Sequence, residues 1–371
     1  MKYDYGLSLE ELEKRTSKDY LATKRMLDVD AVEFLNLKDG DKNALAYLVK
    51  AARIIEKINM QLDSAHNLPF KKFLEDEIKK ADKQGEKGDK RARLTKILFD
   101  AQKGIFALDC ESNMIKLAKG LEKKAGRGLY PDDLTKEEFH QILIKMIKEE
   151  KIDEVRKILN QRSVVERKKG ELFAIDYVDK FSEDFKKIAE LLLRASCTST
   201  NIEFNEYLRL QSQAFLVADP MLDAYADRKW ASLQDTPLEF TVTRENYSDE
   251  MTETVFENEE LSKLLKEYNI EVISKDYLGC RVGIVNKEGT DYILKVKDFL
   301  PLMAENMPYA EEYEQTISSD KNSISQTMVD VDLIEVAGDV GAFRAGITLA
   351  ENLPNNDKLS LTIGGGRRNV Y

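Results

Sequence analysis

Histidine and cysteine, the residues from which zinc sites and nucleophilic centres are most often built, are scarce in this sequence: two histidines and three cysteines in 371 residues. His66 and His140 stand far apart, and no His-x-x-x-His or His-Glu-x-x-His spacing occurs. Zinc favours imidazole and thiolate, so a site here would have to gather these residues over long range. Both histidines therefore read as structural or surface residues. Cys110, Cys197 and Cys280 are odd in number and widely spaced, which excludes a disulfide framework or a Cys-x-x-Cys clip and fits a reducing compartment. There is no Gly-x-Ser-x-Gly, and no histidine lies near Cys197 or Cys280 in sequence, so serine or cysteine nucleophile chemistry is not indicated. The expected role of those two cysteines is buried packing.

A signal-type apolar stretch is missing from Met1 to Ser8, and no later run is apolar for long enough to span a bilayer. The expected location is cytoplasmic. Excess positive charge is also missing. The net charge of -11 repels phosphate backbones and anionic membranes, so neither nucleic acid nor membrane is an expected partner.

What is present is a globular balance of 42% hydrophobic and 34% charged residues. Ser8 and Glu11 form a capping-box pattern ahead of a helix expected to run to about Asp28. Asp39-Gly40-Asp41 reads as a turn, followed by an apolar helix face at Leu45, Leu48, Val49, Ala52, Ile55, Ile58 and Leu62. The charged stretch from Lys79 to Arg93 reads as a solvated connection or frayed helix end. Helical patterning resumes at Leu94, pauses at Gly126-Arg127-Gly128, and restarts where Thr135 and Glu138 form a second capping-box pattern. Val164-Val165, Lys169-Gly170 and Leu172 to Ile175 predict a hairpin, and Tyr177 to about Ser196 a helix.

From Pro237 the pattern turns to strands, at Leu238 to Thr243, Arg281 to Val285, Met328 to Val336, Gly346 to Ala350 and Leu359 to Ile363. Helices at Glu259 to Tyr268 and around Tyr292 to Asn306 interrupt them, and Glu311 to Gln326 reads as a surface loop. The expectation is an α+β protein with a helix-rich region over 1–235 and a β-containing region over 236–371.

Several polar groupings invite a chemical reading. Asp330, Asp332, Glu335 and Asp339 match no calcium loop, and at period two Asp330 and Asp332 read as a solvent-facing row. Gly364-Gly365-Gly366-Arg367-Arg368 follows an expected strand without a helix after it, so a flexible or ligand-approaching loop is preferred to a phosphate cradle. In Arg244-Glu245-Asn246-Tyr247, an extended chain points Glu245 and Tyr247 the same way. A carboxylate can hold a terminal ammonium and a phenol can donate to a carbonyl or oxyanion; read alone, an exposed strand end is the simpler account. Asn352 and Asn355 flank Pro354, where their amides either grip a peptide backbone or form a turn.

The segments ALAYLVKAARIIEKI, LYPDDLTKEEF, SVVERKKGELFAIDYVDKFSEDFKKIAELLLRAS, LEFTVTRENYSDEMT, GITLAENLPNNDKL and GGGRRNVY, in this order, resemble the dipeptidyl peptidase III family of zinc exopeptidases. The resemblance implies one lobe of a two-lobed peptidase, with a small mixed β-barrel facing a helical, zinc-carrying lobe, and short peptides bound along a strand edge by β-augmentation. It implies that Glu245 binds the free amine, that Tyr247 is catalytic in steadying the scissile carbonyl, and that Asn352 and Asn355 hold the peptide's N-terminal part. Gly341 and Gly346 would sit near the substrate-binding strand. The family's His-Glu-x-x-x-His and Glu-Glu-x-x-x-Asp motifs are absent. This chain is thus expected to carry no cofactor, zinc belonging to a full-length member, and to be a truncated recognition portion without catalysis of its own. The alternative is a non-enzymatic peptide-binding or scaffold protein.

Overall fold

The computed structural model describes residues 2–21, 31–83, 90–109, 111, 113–217, 219–233, 235–245, 249–297, 299, 302–303, 306, 308, 329–338, 351–353 and 368–370. The protein is helix-rich α+β, with small antiparallel sheets set among the helices.

The first helix, Leu9–Arg15, begins with the reciprocal cap read from sequence: Glu11 N donates to Ser8 Oγ at 3.2 Å and Ser8 N donates to Glu11 Oε2 at 2.9 Å. It ends well short of Asp28. No apolar residue falls between Leu12 and Tyr20 to keep a face buried, and the chain turns over Ser17–Tyr20 instead. With the helices Asn67–Lys83 and Lys90–Gln102, which flank the charged 84–89 connection, it encloses a small core of Leu7, Leu12, Phe70, Leu74, Phe99 and Phe106. A hairpin of Phe106–Leu108 and Met114–Lys116 closes this core where continued helix was expected. Its three-residue strands are too short to register a period-two pattern.

The helix Asp39–Asp63 buries the face predicted for it, including Leu45, Leu48, Ala52, Ile55, Ile58 and Leu62. Asp39-Gly40-Asp41 is its first turn rather than a separate turn. Asp41 accepts from the Thr200 hydroxyl and Thr200 N, both at 2.8 Å, and a Cβ at Gly40 would overlap the Thr198 carbonyl oxygen. Glycine there serves close packing of two chain segments.

Lys136–Lys148 starts at the Thr135 cap, where Glu138 N donates to Thr135 Oγ1 at 3.1 Å. Ile152–Ile158 leads into the hairpin Ser163–Lys168 and Glu171–Asp176, turned by Lys169 and Gly170 at φ 52° and 83°, the positive values a tight hairpin turn requires. Helices Tyr177–Lys180, Ser182–Thr198, Ile202–Leu216 and Pro220–Ala231 follow. One apolar cluster joins these to the sheet, from Leu37 to Ala337. Cys280 is packed inside it, whereas Cys197 is exposed near the end of its helix, against the expectation of burial.

The principal sheet has three antiparallel strands, Leu238–Glu245, Tyr277–Asn286 and Asp330–Ala337, with Tyr277–Asn286 central. The helix expected around Tyr292 to Asn306 occupies Lys287–Lys297. Glu351–Leu353 and Arg368–Val370 pair with each other in a separate ladder. Among the described residues there is no closed barrel, and the three strands described do not support the expected one, since closure needs strand tilt and stagger distributed over more strands. The predicted strands at 346–350 and 359–363, and the predicted loop at 311–326, lie outside the described residues. The pairing shifts between Val282 and Gly283, so the third strand loses strict alternation and Asp332 and Leu333 are both exposed.

Candidate functional site

Leu238–Glu245 alternates apolar Leu238, Phe240 and Val242 with polar Glu239, Thr241 and Thr243, and all six are buried. Glu239 Oε1 accepts from Trp230 Nε1 and from Thr241 Oγ1, both at 2.6 Å. The strand ends at Glu245, whose backbone is paired with Tyr277.

Immediately before it, Arg244 turns into the protein. Its Nε donates to Asp223 Oδ1 at 2.8 Å, and its guanidinium lies 5.1 Å from the Phe215 ring centre and 6.0 Å from that of Phe185. Asp223 is placed by the helix Pro220–Ala231, which starts with Asp219 as cap and Pro220 in its first turn. The other Asp223 oxygen accepts from Arg162 Nη1, and Arg162 Nε donates to Asp276 Oδ2 at 3.0 Å. Two arginines and two aspartates thus neutralise one another where helix, hairpin and central strand meet, as buried charges must. Burial opposes the charge on Arg162, but Asp223 and Asp276 outweigh it and raise its pKa. Burial lowers the pKa of Arg244 despite the pull of Asp223, and raises that of Asp276 despite Arg162. One helical turn beyond Asp223, the half-buried Asp227 carboxyl is pushed up to about 8, by burial first and by Asp223 second.

Lys275 adjoins this cluster and is wholly buried. Its Nζ donates to the carbonyls of Ile158 at 2.6 Å and Asn160 at 2.7 Å and to Ser163 Oγ at 2.7 Å, and sits 5.6 Å over the Tyr130 ring. Burial lowers its pKa to about 7, against Asp249 and Asp276. A serine beside a lysine of depressed pKa is the composition of a nucleophilic dyad. Here Ser163 Oγ donates to Lys157 O at 2.8 Å and both side chains are sealed from solvent, so the pair instead satisfies carbonyls at the end of the helix Ile152–Ile158.

Asp249 accepts from Tyr130 OH at 2.7 Å and from Lys275 N at 3.3 Å on Oδ2, and from Met251 N at 3.1 Å on Oδ1. Burial, then Asp249, holds the Tyr130 phenol well above its ordinary range.

Of the residues singled out from sequence, Glu245 is a strand terminus, and Asn352 pairs with Asn369 in the other ladder, so their strands belong to different sheets. Tyr247, Asn355, Gly341 and Gly346 lie outside the described residues. The charged cluster of Arg162, Asp223, Asp276, Lys275 and Asp249 escaped sequence reasoning. Its one local sign was Arg244 continuing an otherwise buried strand, while bonded members of the cluster lie up to 114 residues apart along the chain.

Tyr3 OH and His66 Nδ1 are 3.2 Å apart, as are His140 Nε2 and Thr254 Oγ1. Burial lowers the pKa of His140. Among the described residues no group of three or more His, Cys, Asp or Glu side chains is arranged to hold a metal ion. No helix among them is long and apolar enough to cross a membrane.

No family model matches the chain, and no curated protein does. Among solved structures, dipeptidyl-peptidase III from Corallococcus sp. strain EGB is similar over 100% of this chain with TM-score 0.65 and 17% identity. DPP III from Caldithrix abyssi is similar over 90% of it with TM-score 0.63 and 23% identity. The fold is therefore of the dipeptidyl peptidase III type. This chain spans 59% and 55% of those two proteins' lengths.

Proposed function

We propose that this chain is the substrate-recognition portion of a zinc-dependent dipeptidyl peptidase that removes dipeptides from the amino ends of short peptides, and that it does not hydrolyse them unaided. The observation that carries this reading is the fold likeness to two dipeptidyl peptidases III over 90% or more of the chain. The Arg244-Glu245-Asn246-Tyr247 segment at a strand end adds a carboxylate and a phenol suited to an amino terminus and a scissile carbonyl. In this reading Asn352 and Asn355 supply amides for the peptide backbone, and Gly341 and Gly346 belong near the substrate-binding strand. No residue of this chain is assigned to water activation in this reading.

Titrating a tetrapeptide with a free or an acetylated amino end into wild type and Glu245→Ala tests this. A charge-assisted hydrogen bond contributes roughly 1.5–3 kcal/mol, so Glu245→Ala should weaken the free-amine peptide by about tenfold or more and leave the acetylated one unchanged. Equal affinity of both proteins for the free-amine peptide would remove Glu245 from the site.

A further inference from the structure

Beside the hairpin Phe106–Leu108 and Met114–Lys116, the chain's first residues add a further strand. Gly6 N donates to Leu117 O at 2.9 Å, Lys119 N donates to Asp4 O at 3.0 Å, and Tyr5 faces Ala118 in an antiparallel bridge. Leu117 N donates the other way, to Ile105 O at 2.8 Å, so residues 4–6 occupy the hairpin's outer edge. Side chains alternate as on a strand: Lys2, Asp4 and Gly6 are exposed, Tyr3 and Tyr5 half-buried, and Leu7 buried. The Tyr3 ring centre lies 5.6 Å from that of Phe70, and its hydroxyl 3.2 Å from His66 Nδ1. Tyr5 lies 5.6 Å from Phe73 under the Arg91 guanidinium, which is 4.9 Å from its ring centre. Arg91 Nε and Nη2 donate to Leu7 O at 3.0 and 2.6 Å. A Cβ at Gly6 would overlap the Lys116 carbonyl oxygen, so only glycine permits this approach. Main-chain bonds that hold and alternating pockets that select are the features of peptide recognition by strand addition. The helix that follows does not need this occupant: its cap closes between Ser8 and Glu11, Leu12 is fully buried, and Glu13 pairs with Lys90.

We propose that the groove formed by Phe70, Phe73, Arg91 and the chain edge at 117–119 is a peptide-binding site that residues 2–7 hold closed. Its ligand is an extended peptide that places aromatic side chains at alternate positions ahead of a glycine. The groove shares no residue with the dipeptidyl peptidase reading and stands apart from it. A tethered segment competes at an effective concentration on the order of millimolar, so a free peptide gains little access until residues 2–7 are displaced.

Gly6→Val displaces the segment through its clash with the Lys116 carbonyl and leaves every groove residue in place. The probe is a fluorescein-labelled peptide of residues 2–8, Lys-Tyr-Asp-Tyr-Gly-Leu-Ser, titrated by anisotropy into the full chain with and without the substitution. The expected result is binding to Gly6→Val at least about tenfold tighter than to wild type, lost when both tyrosines of the peptide are alanine. Amide hydrogen exchange gives a second readout: the Lys119 amide should lose protection in Gly6→Val and regain it with the peptide, while that of Leu117, bonded to Ile105, stays protected throughout. Equal affinity of the two proteins for the peptide, or of Gly6→Val for the two peptides, overturns the proposal. If Gly6→Val does not fold, Tyr5→Ala, which empties one pocket and leaves the backbone unobstructed, carries the same test. Failure of both variants to fold would make residues 2–7 an obligatory strand of the fold and overturn the proposal as well.

Discussion

Asp227 is the group whose substitution gives the clearest signed prediction. Its carboxyl titrates near 8 in the folded protein against 3.8 for the ordinary residue. The native state therefore keeps a proton that the unfolded chain releases between those values, and stability falls as pH rises through that window. At about 1.4 kcal/mol per unit, holding the proton at pH 7 costs at most about 4 kcal/mol. Asp227 is only half-buried, so solvent screening brings the expected figure to about 2 kcal/mol.

Asn has the shape of the protonated acid and never has to retain a proton. Asp227→Asn should therefore match wild type at pH 4 and exceed it by about 2 kcal/mol at pH 7, with the gap growing toward pH 8. Urea unfolding at pH 4, 6 and 8 reads this directly. A constant difference at all three values would mean that Asp227 is ionised in the folded state, and the account of the cluster as two arginines balanced by Asp223 and Asp276 would fail.

Those elements whose signal is local were legible in sequence. The Ser8 and Thr135 caps, the Lys169-Gly170 hairpin and the buried face of Asp39–Asp63 each rest on residues within a few positions of one another. The hairpin at Phe106–Leu108 was invisible because three residues cannot display alternation, and Asp39-Gly40 misled because its glycine answers to Thr198, a partner 158 residues on. The site divides in the same way. Glu245 was singled out only through the family resemblance, since a carboxylate and a phenol two residues apart read alone as an exposed strand end, whereas Arg162, Asp223 and Asp276 are joined only by folding, and a lone charged residue in sequence reads as surface. The expected β-barrel was implied by the family resemblance; the strand-like runs themselves carry no information about which strands pair, and the described strands form an open three-stranded sheet.

Gly40→Ala sets two effects against each other: alanine favours a helix over glycine by about 1 kcal/mol, but its methyl would overlap the Thr198 carbonyl. Overpacking of this kind costs about 1–3 kcal/mol, and because the obstacle is backbone, we expect a lower melting temperature; a rise would show that the two segments can separate freely. Lys275→Met tests the buried ammonium. The native state sheds the Lys275 proton that the unfolded chain keeps between about 7 and 10.5, so this group's contribution to wild-type stability rises as pH climbs through that window and is poorest below it. Methionine abolishes that slope but strips a donor from the carbonyls of Ile158 and Asn160, and an unsatisfied buried acceptor costs roughly 1–3 kcal/mol. The variant should be less stable than wild type by about 3 kcal/mol at pH 9, with the deficit shrinking at pH 6, where wild type bears the burden of a buried charge. Chemical denaturation at both values decides it: a deficit that widens toward acid would make Lys275 a favourably held cation, its two carbonyls and the Tyr130 ring outweighing its burial.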